Sequence, residues 1–191
     1  MIKVAVVADI PSSREFLERR VGGILKNIAT VRTVLETELH RAHCDMIIAH
    51  HLGGRIKDLQ LRFKHIPIIA IEPSIMPIGV KMLLTSIRSE ETIVVAAEHQ
   101  RCANKLLGEI IEAGILNCRY VSSRFRDIDK VDADWYITSE EMSDGIPEFY
   151  RTHPKMIIVP RMISQESSTQ IISLALELAS RNRGGDARAL R

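Results

Sequence analysis

The fold prediction starts from residues 66–77, whose sequence is IPIIAIEPSIMP. The first half of this stretch is a continuous apolar run, which is typical of a strand buried on both faces of a parallel sheet. The second half brings Pro73 and Pro77 directly after that strand. Because proline stiffens the backbone and cannot donate a ladder hydrogen bond, this pair favours a crossing from one lobe to another.

Similar apolar runs recur along the chain, and amphipathic helical segments lie between them. The predicted strands are Ile2–Ala8, Met46–Ala49, Ile66–Ile71, Thr92–Ala97, Arg119–Val121, Trp135–Thr138 and Met156–Pro160, with Ile28–Val34 as a candidate edge strand. The predicted helices carry the apolar positions from Phe16 to Leu25, Ile56 to Phe63, Leu106 to Ile111 and Ile171 to Leu178, and Gly114 occupies a C-cap position. Strands and helices in alternation indicate an α/β fold with right-handed crossovers.

These elements allow two architectures. Pro154 and Pro160 offer a second crossing, which predicts two doubly wound parallel-sheet (Rossmann-like) lobes with a cleft between them. Lobe one is then 1–73 plus 160–181, lobe two is 74–159, and 182–191 is a disordered tail. The alternative is a single flavodoxin-like sheet of the same elements.

Composition and charge exclude several classes of protein. The chain has 191 residues, 46% of them apolar and 26% charged, and no apolar run approaches the roughly 18 residues of a membrane span. Three cysteines are too few for a disulfide framework, so we expect a cytoplasmic protein with no membrane contact. The net charge is only +2 and the arginine excess is confined to residues 181–191, which predicts no direct nucleic-acid binding by the body. Glycine-rich nucleotide loops and zinc-type spacings are absent from the sequence, so we expect no cofactor and no metal.

Candidate ligand-binding residues follow from the predicted strand ends. In open α/β sheets, ligands gather at the carboxyl ends of the strands, where helix N-termini present free N–H groups. The turn His50-His51-Leu52-Gly53-Gly54 is the most informative end, because adjacent glycines expose backbone amides to an anion; a tight turn that simply needs glycine is the alternative. The candidates are Ser12, Ser13, His50, His51, Gly53, Gly54, Ser74, Glu98, His99, Ser122 and Arg161, and no residue is assigned a catalytic role.

Two stretches carry a resemblance to a known family. They are CDMIIAHHLGG at residues 44–54 and IPIIAIE at residues 66–72. They resemble the N-terminal sensor domain of the propionate-catabolism activator, in which an Asp-x-Ile-Ile strand leads into a Ser-Arg-Gly-like turn and an Ile-Pro-Val strand leads into a helix that crosses to the second lobe. The resemblance spans residues 1–181 and implies a two-lobed small-molecule sensor. In this sequence His50-His51-Leu52 replaces the family's Ser-Arg pair, and the family's ATPase and helix-turn-helix domains have no counterpart in it.

Taken together, these features predict a non-catalytic protein that binds a small anionic metabolite and has a regulatory role, in transcription regulation by the resemblance. The expected partners are that small-molecule ligand and a regulatory protein or a second copy of the chain. One alternative is a cofactor-independent isomerase- or lyase-type enzyme that uses His50, His51, Glu98 or His99 as acid and base. Another is a structural subunit whose faces serve only oligomerisation.

A variant pair tests the predicted glycine turn. If an anion binds there, Gly53→Val should weaken binding more than His50→Gln, because a side chain at Gly53 blocks the approach whereas the histidine change removes one donor. Imidazole has an unperturbed pKa of about 6.5, so affinity should rise as the pH falls towards about 6. Calorimetric titration of both variants with an anion that binds the wild type checks this, and unchanged affinity in a folded Gly53→Val protein would remove the turn from the site.

Overall fold

The computed structural model describes the backbone of residues 1–8, 11–50 and 55–188, and the side chains of these residues other than 12 and 182–188. The chain divides into two compact units: unit 1 is Met1–Pro73 with Ile163–Arg191, and unit 2 is Ser74–Met162. Each unit has its own four-stranded parallel sheet with helices packed against it. This confirms the predicted α/β fold with two Rossmann-like lobes.

The elements alternate along the chain much as the sequence predicts. The strands are β1 (Ile2–Ala8), β2 (Ala29–Leu35), β3 (Met46–His50), β4 (Ile68–Ile71), β5 (Pro73–Ile75), β6 (Thr92–Ala97), β7 (Arg119–Arg124), β8 (Trp135–Ser139), β9 (Met156–Val159) and β10 (Arg161–Ile163). The α-helices are α1 (Arg14–Ile24), α2 (Arg55–Arg62), α3 (Pro77–Ser86), α4 (Gln100–Glu112), α5 (Glu148–Arg151) and α6 (Gln165–Arg188). Short 3₁₀ helices cover Pro11–Ser13, Glu36–Arg41, Phe125–Lys130 and Glu140–Gly145.

The sheet of unit 1 has the strand order β2-β1-β3-β4, and its neighbouring strands are parallel. Side chains alternate across each strand, so β1 directs Val4 and Val6 to one face and Ala5 and Val7 to the other. The first face packs against α1 and α6, and the second packs against α2 and the 3₁₀ helix Glu36–Arg41. Cover on both faces explains the continuous apolar run of β1, whereas β2 lies at the edge and alternates, as predicted.

Unit 2 repeats the topology of unit 1. Its sheet has the order β7-β6-β8-β9, so the second strand along the chain lies at one edge of each sheet and the fourth lies at the other. The backbone N–H of Lys3 donates to Oδ2 of Asp45 at 2.7 Å, and that of Thr92 donates to Oδ2 of Asp134 at 2.8 Å; the two residues are 42 positions apart in both units. Asn27 and Asn117, which stand just before the second strands, have positive φ angles of 69° and 62°. The chain is therefore an internal duplication of one fold unit.

The closing helix of each repeat packs on the sheet of the other repeat. α6 follows β9 and β10 along the chain, yet it packs against β1 and β4, and its Ile171 and Ala175 join the core of unit 1. α3 follows β4 and β5 and packs against β9 in unit 2. Close approach requires glycine at position 79 of α3, because a Cβ there would lie 3.1 Å from Cδ of Pro160 and 2.9 Å from Cγ2 of Ile75.

The two crossings run through β5 and β10, which pair as a two-stranded sheet. Pro73 begins β5 and Pro160 directly precedes β10, which fits the proline-based prediction. The second boundary between the units follows Met162 rather than residue 159, because Arg161 is bonded to side chains of unit 2.

Other details differ from expectation or add to it. The described strands form three separate sheets, so the single flavodoxin-like sheet is not the architecture. The backbone of α6 continues to Arg188, so residues 182–188 are helical where the sequence predicts a disordered tail; an existing helix gains one hydrogen bond for each residue it adds. Gly114 has a φ of 90°, as its predicted C-cap position requires. No helix among the described residues has both the length and the apolarity needed to cross a membrane.

The duplicated aspartates give a matched test of the fold. Asp45→Ala and Asp134→Ala should each lower the free energy of unfolding by about 1–2 kcal/mol, because each carboxylate accepts a backbone N–H at the start of its sheet. Asp132→Ala is the control, since it removes the same charge from an exposed position. Urea denaturation at neutral pH measures all three, and an equal loss for Asp132→Ala would show that charge rather than the hydrogen bond is responsible.

Candidate functional site

The first group of predicted site residues lies at the carboxyl ends of the unit 1 strands. His50 ends β3 and is buried. Ser13 is buried at the N-cap of α1. The side chain of Ser12 and residues 51–54 lie outside the described residues, so the predicted glycine turn stays a prediction.

The second group lies in unit 2. Glu98 and His99 follow β6 and are exposed, and His99 is the N-cap residue of α4. Oγ of Ser122, on β7, accepts a hydrogen bond from Nε2 of Gln100 at 2.8 Å, which ties this strand to the start of α4. Ser74 is half-buried on β5, a strand outside the four-stranded sheet.

Arg161 is the most buried of the predicted site residues in unit 2, and carboxylates of the chain surround its guanidinium. Nη2 donates to both oxygens of Glu109, the longer bond being 2.7 Å, and Nη1 donates to Oε1 of Glu141 at 3.0 Å. Burial raises the pKa of Glu109, against the opposing attraction of Arg161. A ligand anion that bound Arg161 would have to displace one of these carboxylates.

A different polar site, which the sequence analysis does not select, lies beside β2 in unit 1. A pocket of about 250 Å³ is lined by Arg14, Arg32, Thr33, Val34, Glu38, Arg41 and Ala42, and we name it the arginine pocket. Three elements supply its polar groups: α1 begins with Arg14, β2 carries Arg32 and Thr33, and the 3₁₀ helix after β2 carries Glu38 and Arg41.

Two donors of the arginine pocket lack an acceptor among the described residues. Thr33 is only 8% exposed, and its Oγ1 has no hydrogen-bond partner among the described residues. Nε of Arg14 is also buried and has no partner among them. Buried donors in folded proteins are nearly always paired, and an unpaired one costs about 1–3 kcal/mol. These atoms therefore indicate an acceptor that the described chain does not supply.

Glu38 partly neutralises the pocket. Nη2 of Arg14 donates to Oε2 of Glu38 at 2.5 Å, and the backbone N–H of Leu35 donates to the same oxygen at 2.9 Å. The bond from Arg14, followed by that from Leu35, lowers the pKa of Glu38, so its carboxylate is ionised at neutral pH. Three guanidiniums thus face one carboxylate, and the pocket keeps a positive excess.

Unit 2 has an equivalent of this place. We call the two places, where the second strand of each sheet meets the 3₁₀ helix that follows it, the corners of unit 1 and unit 2. Glu38 and Asp127 are each the third residue of the 3₁₀ helix that follows the second strand of its sheet, and Arg41 and Lys130 are each the last. Asp127 bonds to Nζ of Lys130 at 2.5 Å and to Nε of Arg124 at 3.2 Å. The Lys130 bond has the largest part in lowering the pKa of Asp127.

The two corners differ in how their hydroxyl groups are paired. Thr33 lies opposite Val6 in the β1–β2 register, and Ser122 lies opposite Val95 at the equivalent place between β6 and β7. The hydroxyl of Ser122 is bonded to Gln100, whereas that of Thr33 has no partner in the described chain. Of these two equivalent hydroxyls, only that of Thr33 has no partner among the described residues.

Sequence reasoning missed the arginine pocket because exposed arginines on a helix and an edge strand are ordinary surface residues. One available signal was Arg32, a charged residue on a short alternating strand, followed by Glu38 and Arg41 in the next turn. The other was the recurrence of an acid and then a base three residues later, at Asp127 and Lys130, in the second half of the chain.

The thiols and acidic groups provide little basis for covalent or metal chemistry. Burial raises the pKa of the Cys44 and Cys102 thiols, and the carboxylates of Asp45 and Glu141 respectively act in the same direction. A raised pKa disfavours the thiolate, which is the nucleophilic form. Within the described ranges, no group of three or more His, Cys, Asp or Glu side chains could hold a metal ion.

No protein-family model matches this chain, and no curated protein or solved structure matches it.

The buried ion cluster gives a pH-dependent prediction. Arg161→Met should lower the free energy of unfolding by about 3–5 kcal/mol at neutral pH, because it removes the guanidinium that pairs with the partly buried Glu109 and the buried Glu141. Burial raises the pKa of Glu109 and Arg161 lowers it, so the folded variant takes up a proton on Glu109 at a higher pH than the folded wild type does. The loss should therefore shrink as the pH falls towards 5.

Urea denaturation at pH 7 and pH 5 measures this effect, with Arg126→Met as the control at an exposed arginine. Glu109→Gln should cost less than Arg161→Met, because Glu141 still neutralises the guanidinium. A loss for Arg161→Met that is the same at both pH values would show that packing rather than charge is what the arginine contributes.

Proposed function

We propose that this protein binds a small anionic metabolite without changing it covalently, and that this binding has a regulatory role. The arginine pocket carries the proposal, because it combines three arginines, one carboxylate and two buried donors that have no acceptor among the described residues. A guanidinium keeps its proton in proteins, so these groups bind an anion rather than transfer protons.

The size of the pocket supports a small ligand. Sites for drug-sized molecules span about 300–1,000 Å³, whereas this pocket measures about 250 Å³. Arginine is the residue best suited to planar, two-bond recognition of a carboxylate or phosphate. A metabolite of a few carbon atoms with one strongly charged group fits both the volume and the chemistry.

The regulatory part of the proposal rests on the resemblance of residues 44–54 and 66–72 to the sensor domain of the propionate-catabolism activator. We infer that occupancy of the pocket is passed to a regulatory partner, either a protein or a second copy of the chain, in the cytoplasm. Control of transcription is the process that the resemblance favours. Two Rossmann-like lobes are compatible with this role.

The competing function is an isomerase or lyase that uses His50, His51, Glu98 or His99 as acid and base. Glu98 and His99 are exposed where β6 ends, whereas His50 is buried at the end of β3. Enzymes tune a general acid or base by burial and by charged neighbours, so the exposed Glu98 and His99 fit this role less well than the buried His50 does.

A thermal-shift screen of small phosphates and carboxylates tests the proposed function. A ligand present at 100 times its Kd stabilises the folded state by about 2.7 kcal/mol, which raises the Tm by about 5–10 °C for a chain of this length. We expect at least one anion to do so and to be recovered unchanged, as judged by NMR of the ligand. A ligand recovered in altered form would favour the enzyme, and a screen in which no anion raises the Tm would contradict the proposal.

A further inference from the structure

We propose that the charged group of this metabolite is a phosphate monoester, which the arginine pocket binds through Arg14, Arg32, Thr33 and Arg41. This inference rests on the proposed function and names the chemical class of its ligand. The pocket draws these groups from α1, β2 and the 3₁₀ helix Glu36–Arg41, so they surround one small volume rather than line a flat surface.

Charge balance is the first argument for phosphate. Three guanidiniums and the carboxylate of Glu38 leave an excess of two positive charges in the pocket. A phosphate monoester carries about −1.5 to −2 at pH 7, so it compensates this excess nearly completely. A monocarboxylate compensates only half of it.

The arrangement of donors is the second argument. Nε of Arg14 and Oγ1 of Thr33 lie on different elements, and both are buried without an acceptor among the described residues. The three terminal oxygens of a phosphate monoester point in three directions and can serve donors that come from separate elements. α1 begins at Arg14, so the positive end of its dipole lies on the same side and adds to the attraction for a dianion.

Glu38 acts as the intramolecular competitor of the phosphate. Its Oε2 accepts from Nη2 of Arg14 and from the N–H of Leu35, so it already occupies one guanidinium of the pocket. The pair is partly exposed, at 37% for Arg14 and 49% for Glu38, and such a pair is easily exchanged for a stronger anion. A phosphate that enters the pocket therefore takes the Arg14 bond, and Glu38 keeps the N–H of Leu35.

The internal duplication supplies a matched control. Lys130 stands at the place of Arg41 in the equivalent corner of unit 2, and it is bonded to Asp127. Lys130→Gln removes the same unit of charge as Arg14→Gln or Arg32→Gln, but from the corner in which the equivalent hydroxyl is already paired.

Isothermal titration calorimetry of the full chain tests the proposal, with glycerol phosphate, inorganic phosphate, succinate and acetate as probes. We expect glycerol phosphate to bind most tightly and acetate least. Arg14→Gln and Arg32→Gln should each weaken glycerol phosphate binding about tenfold or more, because each removes a charged donor, and Lys130→Gln should leave it unchanged. Glu38→Gln should strengthen binding, because it removes the competing charge and keeps an acceptor for Leu35. Circular dichroism of each variant establishes that it is folded.

The outcomes separate the two proposals. If succinate or acetate binds as tightly as glycerol phosphate and depends on Arg14 and Arg32, the phosphate class is wrong and anion binding at this pocket stands. If phosphates bind but folded Arg14→Gln and Arg32→Gln proteins keep wild-type affinity, the site is wrong. Weaker binding by Glu38→Gln would overturn the role given to Glu38. If none of the four probes binds, the phosphate assignment fails, and the screen of other anions decides the proposed function separately.

Discussion

A parallel sheet whose two faces are both apolar must be covered on both sides, and this requirement determines the path of the chain. In unit 1 the faces of β1 bury different residues, Val4 and Val6 on one side and Ala5 and Val7 on the other. Helices α1 and α6 cover the first face, and α2 covers part of the second. Helix α6 comes from the far end of the sequence. The core of unit 1 therefore depends on residues that follow β10, after all the strands of unit 2 in the sequence.

In both units, one backbone hydrogen bond holds the start of the helix that comes from the other repeat. After β9, the carbonyl of Pro160 accepts the N–H of Met76, at the start of α3, at 2.9 Å. After β4, the carbonyl of Glu72 accepts the N–H of Ser164, just before α6, at 3.3 Å. Each helix is thus fixed at its first turn by the end of the fourth strand in the unit that it enters. Proline suits position 160, because a residue without an N–H donor leaves the ladder while its carbonyl can still accept.

The sequence was sufficient for the features that depend on local pattern. Continuous β-branched runs predicted the buried strands, alternation predicted β2 as an edge strand, and Gly114 marked the end of α4. The duplication was not visible in the same way, because its signature consists of isolated pairs such as Asp45 with Asp134 and Glu38 with Asp127. These pairs acquire meaning only when strand register shows that they occupy equivalent places. The arginine pocket was also missed. Its residues come from α1, β2 and a 3₁₀ helix, and only the tertiary structure shows that they lie close together.

The comparison of the two corners shows where a duplicated scaffold can carry a ligand. Both corners place an acid at the third position of the 3₁₀ helix and a base at its end, so this pairing belongs to the shared fold. In the corresponding corner of unit 2, the hydroxyl oxygen of Ser122 accepts a hydrogen bond from Gln100. In unit 1 the equivalent hydroxyl of Thr33 is buried without a partner among the described residues, and it lines a pocket instead. An unpaired buried donor lowers the stability of the free protein, so an anion that pairs with it recovers that free energy as part of its binding. Of the two equivalent corners, the one that offers a buried hydroxyl to an anion is therefore the corner of unit 1, where the described chain leaves Thr33 without a partner.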